Sequence, residues 1–230
     1  MRVLAIETST EHCSCALWHA GAAVESLVNA GSTHSSLLLP MLMGLLREAG
    51  STLAAVDAIA FGAGPGSFTG VRIACSVAQG LGFARGLPLV PVVTLKALAE
   101  EAGHAQVLAC LDARMGELYL AAYERANGQW RTVLRPMLAR PDALPALSGR
   151  WHASGSGLKV HAAALNLTYD LASCDAAAFP RARAIAALGA RALAAGKFVA
   201  AEAAAPLYLR NKIALDVREQ ALARAARVTT

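Results

Sequence analysis

Gly62-Ala63-Gly64-Pro65-Gly66-Ser67-Phe68-Thr69-Gly70 is the stretch that decides the fold class. The apolar run Ala55 to Phe61 precedes it, and a long apolar segment ending at Arg85 follows. The block therefore reads as the turn between a buried strand and a helix. Gly86 and Pro88 stop that helix, and Leu89 to Val93 reads as the next strand. A strand–helix–strand crossover of this kind builds the parallel part of an α/β sheet. Four glycines free the backbone for close approach, and the helix start offers unpaired N–H groups to an anion. No Lys-Ser/Thr follows, as a Walker loop requires, and the centre of Gly66-Ser67-Phe68-Thr69-Gly70 is Phe68, where a nucleophile elbow needs serine. Two readings stay open: a phosphate cradle made of backbone alone, or a tight structural crossover.

Upstream, Val3 to Glu7, Cys13 to Trp18 and Ala23 to Val28 read as three strands joined by short turns. Glu7, beside Thr8, Ser9 and Thr10, stands at a strand end, where it either faces a nucleotide–metal complex or caps the next turn. Glu7, Thr8, Ser9, Gly64, Gly66 and Ser67 are the candidate nucleotide-binding residues. A helix is expected from Ser32-Thr33 to Gly50. Downstream of Gly103 the pattern starts again. Gln106 to Asp112, Leu118 to Tyr123 and Trp130 to Leu134 read as strands, with a turn at Arg114-Met115-Gly116. Pro136, Pro141 and Pro145 are expected to break the chain into loop and short helix, and Pro180 to open an alanine-rich helix ending near Gly196. The two halves echo each other in plan without repeating in sequence.

Composition excludes more than it assigns. The chain has 230 residues, 56% apolar and 16% charged, and 53 of them are alanine. Disorder is excluded by the low polarity, and no stretch supplies the roughly 20 consecutive apolar residues of a membrane span. A net charge of +5 permits attraction to nucleic acid without demanding it. Glu7 comes too early for a signal peptide, and five cysteines without a C-x-x-C pair suit a reduced, cytoplasmic protein. No two histidines stand four apart, so no helical metal pair is expected.

The helices carry a sharper signal. In Leu37-Leu38-Leu39-Pro40-Met41-Leu42-Met43-Gly44-Leu45-Leu46 apolar residues cover nearly every side, and the segment from Thr69 to Arg85 carries charge only at Arg72 and Arg85. Such helices are fully buried or covered by another molecule. The candidate partner-binding residues on the first are His34, Leu38, Leu39, Met41, Leu42, Leu45 and Leu46. On the second they are Val71, Arg72, Ala74, Cys75, Ala78, Gln79 and Gly82.

Five segments together give the chain a family likeness: Leu4-Ala-Ile-Glu-Thr-Ser-Thr10, His34 ahead of Leu39-Pro40-Met41, Gly64-Pro-Gly-Ser-Phe-Thr-Gly-Val-Arg-Ile73, Asp112-Ala-Arg-Met-Gly-Glu117 and Tyr208-Leu-Arg-Asn211. They resemble the bacterial TsaB (YeaZ) family, from Met1 to about Asn211. The resemblance implies a two-lobed α/β fold of the actin/Hsp70/sugar-kinase type (ASKHA), with mixed sheets flanked by helices. The expected lobes are 1–102, carrying the partner helices, and 103–215, followed by a basic tail at 216–230. It further implies a non-catalytic subunit in the synthesis of threonylcarbamoyladenosine on tRNA. Such a subunit would bind a TsaD-like transferase and a TsaE-like ATPase and meet tRNA only through the complex; the apolar helix faces, being self-complementary, are expected to pair two copies when it is alone. No cofactor of its own is implied, and ATP at a shared interface is left open. The sister's His-x-x-x-His metal motif, laid on His34 to Leu38, keeps one histidine and loses the other to leucine. Family members usually carry Asp where this chain has Glu7. A kinase of the same fold, using Glu7 and Asp112, is the alternative.

Overall fold

The computed structural model describes residues 1–210. The expected basic tail and Asn211 lie outside the described residues. Two five-stranded sheets organise the chain. The first contains β1 (Arg2–Glu7), β2 (His12–His19), β3 (Ala22–Asn29), β4 (Ala58–Gly64) and β5 (Leu89–Val93), in the order β3-β2-β1-β4-β5. Its hairpin strands are antiparallel, whereas β1, β4 and β5 run parallel. The second contains β6 (Gln106–Arg114), β7 (Glu117–Ala126), β8 (Gln129–Ala139), β9 (Arg150–Ser154) and β10 (Asp170–Asp175), in the order β10-β9-β6-β7-β8. Read from its other edge, β8-β7-β6-β9-β10 repeats the order and directions of the first sheet. The echo heard in the sequence is a duplicated architecture.

Period-2 alternation sorts the first sheet's side chains onto two covered faces. Leu4, Ile6, Ile59 and Phe61 point to one side, where α1 (His34–Glu48) and α2 (Phe68–Arg85) cover them. Val3, Ala5, Ala16 and Ala60 point to the other, where α5 (Ala182–Ala194) lies. That second seam is made of small residues, and a Cβ on Gly189 would come within 2.5 Å of the Ala60 Cβ. Much of the alanine surplus is used here, letting a helix settle close on the sheet. The second sheet is covered by α3 (Thr94–Ala102) on one side and α4 (Gly157–Thr168) on the other.

Three expectations need correcting. The first lobe does not end at residue 102. The chain returns to it through α5, and Val199 bridges back to Leu89. The lobes are therefore 1–102 with 181–210, and 103–180. Pro136 does not break the chain but sits inside β8. That strand is at the sheet's edge, and its register slips opposite Leu120 to Ala122, so the missing N–H is tolerated. No helix forms between Pro141 and Pro145, whereas α3, β9, α4 and β10 form where none were expected.

Candidate functional site

An open cleft of about 750 Å³ separates the lobes. The β1–β2 turn, the glycine-rich block and the N-terminus of α2 line it from the first lobe, and Asp112 to Met115, Tyr119, Ser156 and Lys159 line it from the second. Leu207 to Arg210 cross its mouth.

The candidate nucleotide residues divide into two sets. Ser9, Gly66 and Ser67 line the cleft, while Glu7, Thr8 and Gly64 lie buried behind it. Glu7 is 1% exposed and cannot meet a nucleotide–metal complex, which corrects that expectation. Its Oε1 accepts from the Ser9 N–H at 2.5 Å, and its Oε2 from the Thr94 hydroxyl at 3.4 Å. The Thr94 hydroxyl in turn accepts from the Gly64 N–H at 3.1 Å. Desolvation by burial pushes the Glu7 carboxyl up to about 7, overcoming the opposing hydrogen bonds from Ser9 and Thr94. Glu7 ties β1 to the glycine-rich block and to the start of α3.

The glycines of that block serve close packing. A Cβ on Gly62 would overlap the Glu7 carboxylate, one on Gly66 would stand 2.6 Å from Ser9 Cβ, and one on Gly70 would overlap the Thr8 carbonyl. Three glycines at four-residue spacing thus seat three successive residues of the β1–β2 turn. Two of the N–H groups an anion would use are already engaged. Ser67 N donates to the Ser9 carbonyl at 2.7 Å, and Gly70 N to the Ser67 hydroxyl at 3.4 Å. These contacts favour the tight-crossover reading.

Asp112 lies at the cleft edge, where it accepts from Arg114 N at 2.9 Å and pairs with the Arg114 guanidinium at 3.2 Å. His34 also lines the cleft. It is 6% exposed, and its Nε2 bonds the His12 carbonyl at 3.2 Å. His34 is thus removed from the outward face to which the sequence assigned it. Leu38, the residue opposite the sister motif's second histidine, is wholly buried in the core. No group of three or more potential metal ligands occurs among the described residues.

The segment crossing the cleft mouth belongs to both lobes. Leu207 N donates to the Ala63 carbonyl at 2.7 Å. Arg72 Nε donates to the Tyr208 hydroxyl at 2.7 Å, and the Arg72 guanidinium lies 3.4 Å over the Phe68 ring. Two residues on, Arg210 pairs with Glu117 at 2.7 Å and donates to the Ala113 carbonyl at 3.0 Å. The matching segments around Asp112 and Tyr208 therefore meet across the cleft.

The helix candidates also divide. Leu38, Leu42, Leu45 and Leu46 of α1, with Val71, Ala74, Cys75, Ala78 and Gly82 of α2, are buried against their own sheet and present nothing to a partner. Leu39 is exposed, Met41 and Gln79 are half-buried, and Arg72 is exposed. Gln79 Nε2 is also engaged within the chain, by the carbonyls of Ala201 and Ala204. Two residues absent from the expected set are the most exposed large apolar side chains on these two helices: Met43 at 58% and Phe83 at 80%. Met43 extends the Leu39 stripe by one turn, and Phe83 is the second aromatic of α2, after Phe68. Half-buried Leu37, Ile73, Val77 and Leu81 fill the space between core and surface.

A two-lobed α/β fold with this duplicated sheet order and a glycine-block crossover defines a TsaD-like, ASKHA-type protein. The family model described as "TsaD: tRNA N6-adenosine threonylcarbamoyltransferase" matches residues 28–229. Within that class the chain belongs to the TsaB (YeaZ) family. It is 40% identical over 225 residues to the tRNA threonylcarbamoyladenosine biosynthesis protein TsaB of Escherichia coli, covering 93% of this chain and 96% of that one. A TsaB of Haemophilus influenzae is 39% identical over 154 residues, covering 62% of this chain and 65% of that one. The solved structure of YeaZ from Pseudomonas aeruginosa superposes with a TM-score of 0.82 at 40% identity, covering 90% of this chain and 99% of that one. Among the described residues no helix is long and apolar enough to cross a membrane.

Proposed function

We propose that this chain is a non-catalytic, cytoplasmic subunit of the machinery that makes threonylcarbamoyladenosine on tRNA, and that it docks a TsaD-like transferase on the outward face of α1 and α2. The observation that carries this reading is the exposure of Leu39, Met43 and Phe83 on two helices of a TsaB-family chain. Each such side chain covered by a partner contributes about 1.5–3 kcal/mol. A TsaE-like ATPase is the further partner, tRNA is met only through the complex, and without the transferase the same face pairs two copies. ATP, in this reading, is used at the shared interface and not in this chain's own cleft. A kinase would need Glu7 in the cleft, and its burial argues against one.

The test is co-purification of the full chain with the transferase of the same organism. Phe83→Asp and Met43→Asp are expected to abolish co-elution while leaving the thermal midpoint of the free chain unchanged. Undiminished co-elution of both variants would overturn the reading.

A further inference from the structure

The docking face is apolar at its centre and basic around it. Arg72, Ser76, Gly80 and Phe83 follow one another at four- and three-residue spacing on α2, and all four are exposed. They form one outward stripe about 16 Å long between Arg72 and Phe83. On α1, Leu39, Met43 and Arg47 form a second exposed stripe. Arg85 closes the last turn of α2. Among the described residues no acid pairs with Arg47, Arg72 or Arg85 at ion-pair distance. Glu48 is the one acid on α1, and α2 has none. Arg85 stands on the angular side of buried Ala78, and Glu48 opposite Leu39, so the outward stripes carry two cations, Arg47 and Arg72, and no acid, a net +2.

Arg72 is also held in place. The Phe68 ring packs beneath its guanidinium at 3.4 Å, and the Tyr208 hydroxyl accepts a hydrogen bond from its Nε at 2.7 Å. Among the described residues no acceptor engages its Nη edge, the edge with which an arginine grips a carboxylate through two parallel bonds. Fixing the side chain beforehand lowers the entropy lost when it binds. Arginine and aromatic anchors of this kind dominate binding energy at interfaces.

We infer that the α1–α2 face selects an acidic partner surface, with a carboxylate seated on Arg72 and an apolar hollow for Phe83, over a second copy of this chain. The inference rests on the docking reading above and names the partner's chemistry. A two-fold pairing of copies brings the same patch against itself, so that two faces of net +2 meet. Like charges brought together at a desolvated interface oppose association. A transferase surface bearing acids at the matching positions turns the same arginines into a reason to exchange partners. The apolar centre favours protein over RNA, whose stacked bases and phosphates would leave Leu39 and Met43 uncovered.

The experiment titrates the full chain against the transferase, and separately follows self-association by sedimentation, for wild type, Arg72→Gln and Arg47→Gln. Arg72→Gln is expected to weaken transferase binding about tenfold. Raising salt from about 0.1 M to about 1 M, which shortens the screening length from about 10 Å to about 3 Å, should weaken it too. Self-association should be unchanged or strengthened by both treatments. Arg47→Gln, on the Leu39–Met43 stripe and with no acidic partner among the described residues, should act in the same direction and guards against a folding effect of losing the Tyr208 contact. Transferase binding indifferent to salt and to both substitutions overturns the inference and leaves the docking reading intact. Absence of any transferase binding overturns both. Retention of tRNA by the free chain, lost in Arg72→Gln, overturns the inference by assigning the rim to nucleic acid.

Discussion

The Glu7 carboxylate occupies the space in which a Gly62 side chain would stand, so the glycine and the buried acid specify each other. β1 and β4 are neighbouring parallel strands, and this contact lies just beyond their paired residues, where both turn toward the cleft. Of the two roles the sequence left open for this acid, facing a nucleotide–metal complex or capping the next turn, the structure shows the second: it accepts from the Ser9 N–H and ties the strands together.

Ionising Glu7 should therefore destabilise the fold. Its carboxyl is raised from 4.5 to about 7 by burial. A raised folded-state value means that stability is fully present below about 4.5, declines as pH rises, and is lost above about 7. The difference corresponds to something on the order of 3 kcal/mol. Urea unfolding between these pH values should show the decline in wild type and a flatter profile in Glu7→Gln. A variant profile as steep as wild type would show that another group is responsible.

Gly62→Ala and Gly70→Ala should each destabilise strongly, by about 3 kcal/mol or more, because backbone or a buried acid must move to admit a methyl group. Gly80 offers a contrast within the same helix. Nothing lies within 4 Å of a Cβ there, so Gly80→Ala should stabilise the free chain by about 0.5–1 kcal/mol. Thermal unfolding of the three variants checks both signs.

Leu42→Arg should unfold the chain rather than merely uncouple it from a partner. The residue is 1% exposed, and a guanidinium placed there has neither water nor a counter-charge. Far-ultraviolet circular dichroism should show lost structure for Leu42→Arg, while Phe83→Asp keeps the wild-type spectrum. A folded Leu42→Arg variant would mean that α1 can lift from the sheet.

Arg210→Ala should loosen the cleft mouth. The guanidinium is 15% exposed and holds Glu117, the Ala113 carbonyl and the Met115 sulfur. Its loss should cost about 1–3 kcal/mol and speed amide exchange in the turn from Ala113 to Glu117, with β1 unaffected. Unchanged exchange there would mean the turn is held by its own backbone.

The strands and the first two helices of the first lobe were legible because their patterns are strong: short unbroken apolar runs in β1 and β4 bounded by turn residues, long apolar helical segments, and Gly86 with Pro88 at a stop. α3 was hidden because Val92-Val93-Thr94 continues the look of a strand and Val93 gives no side-chain cap. β10 has a mostly exposed burial pattern, and α4 is kinked at His161. Neither shows a clean period. The return of α5 to the first sheet could not be read, because a run of alanines fits any close seam. The outward face was half legible. Spacing separated the stripes of α1 but could not say which lay on the sheet, so Leu42 and Leu39 looked alike. Phe83 was overlooked because glycine and alanine flank it.

The discontinuity of the first lobe bears on how the chain is born. Residues 94–180, α3 with the second sheet, are contiguous in the chain, whereas the earlier strands wait for α5 to cover Val3, Ala5 and Ala60. The half that is made first is the half that is finished last. Until residue 194 is synthesised, the side of its sheet that carries Val3, Ala5 and Ala60 lacks its main helix.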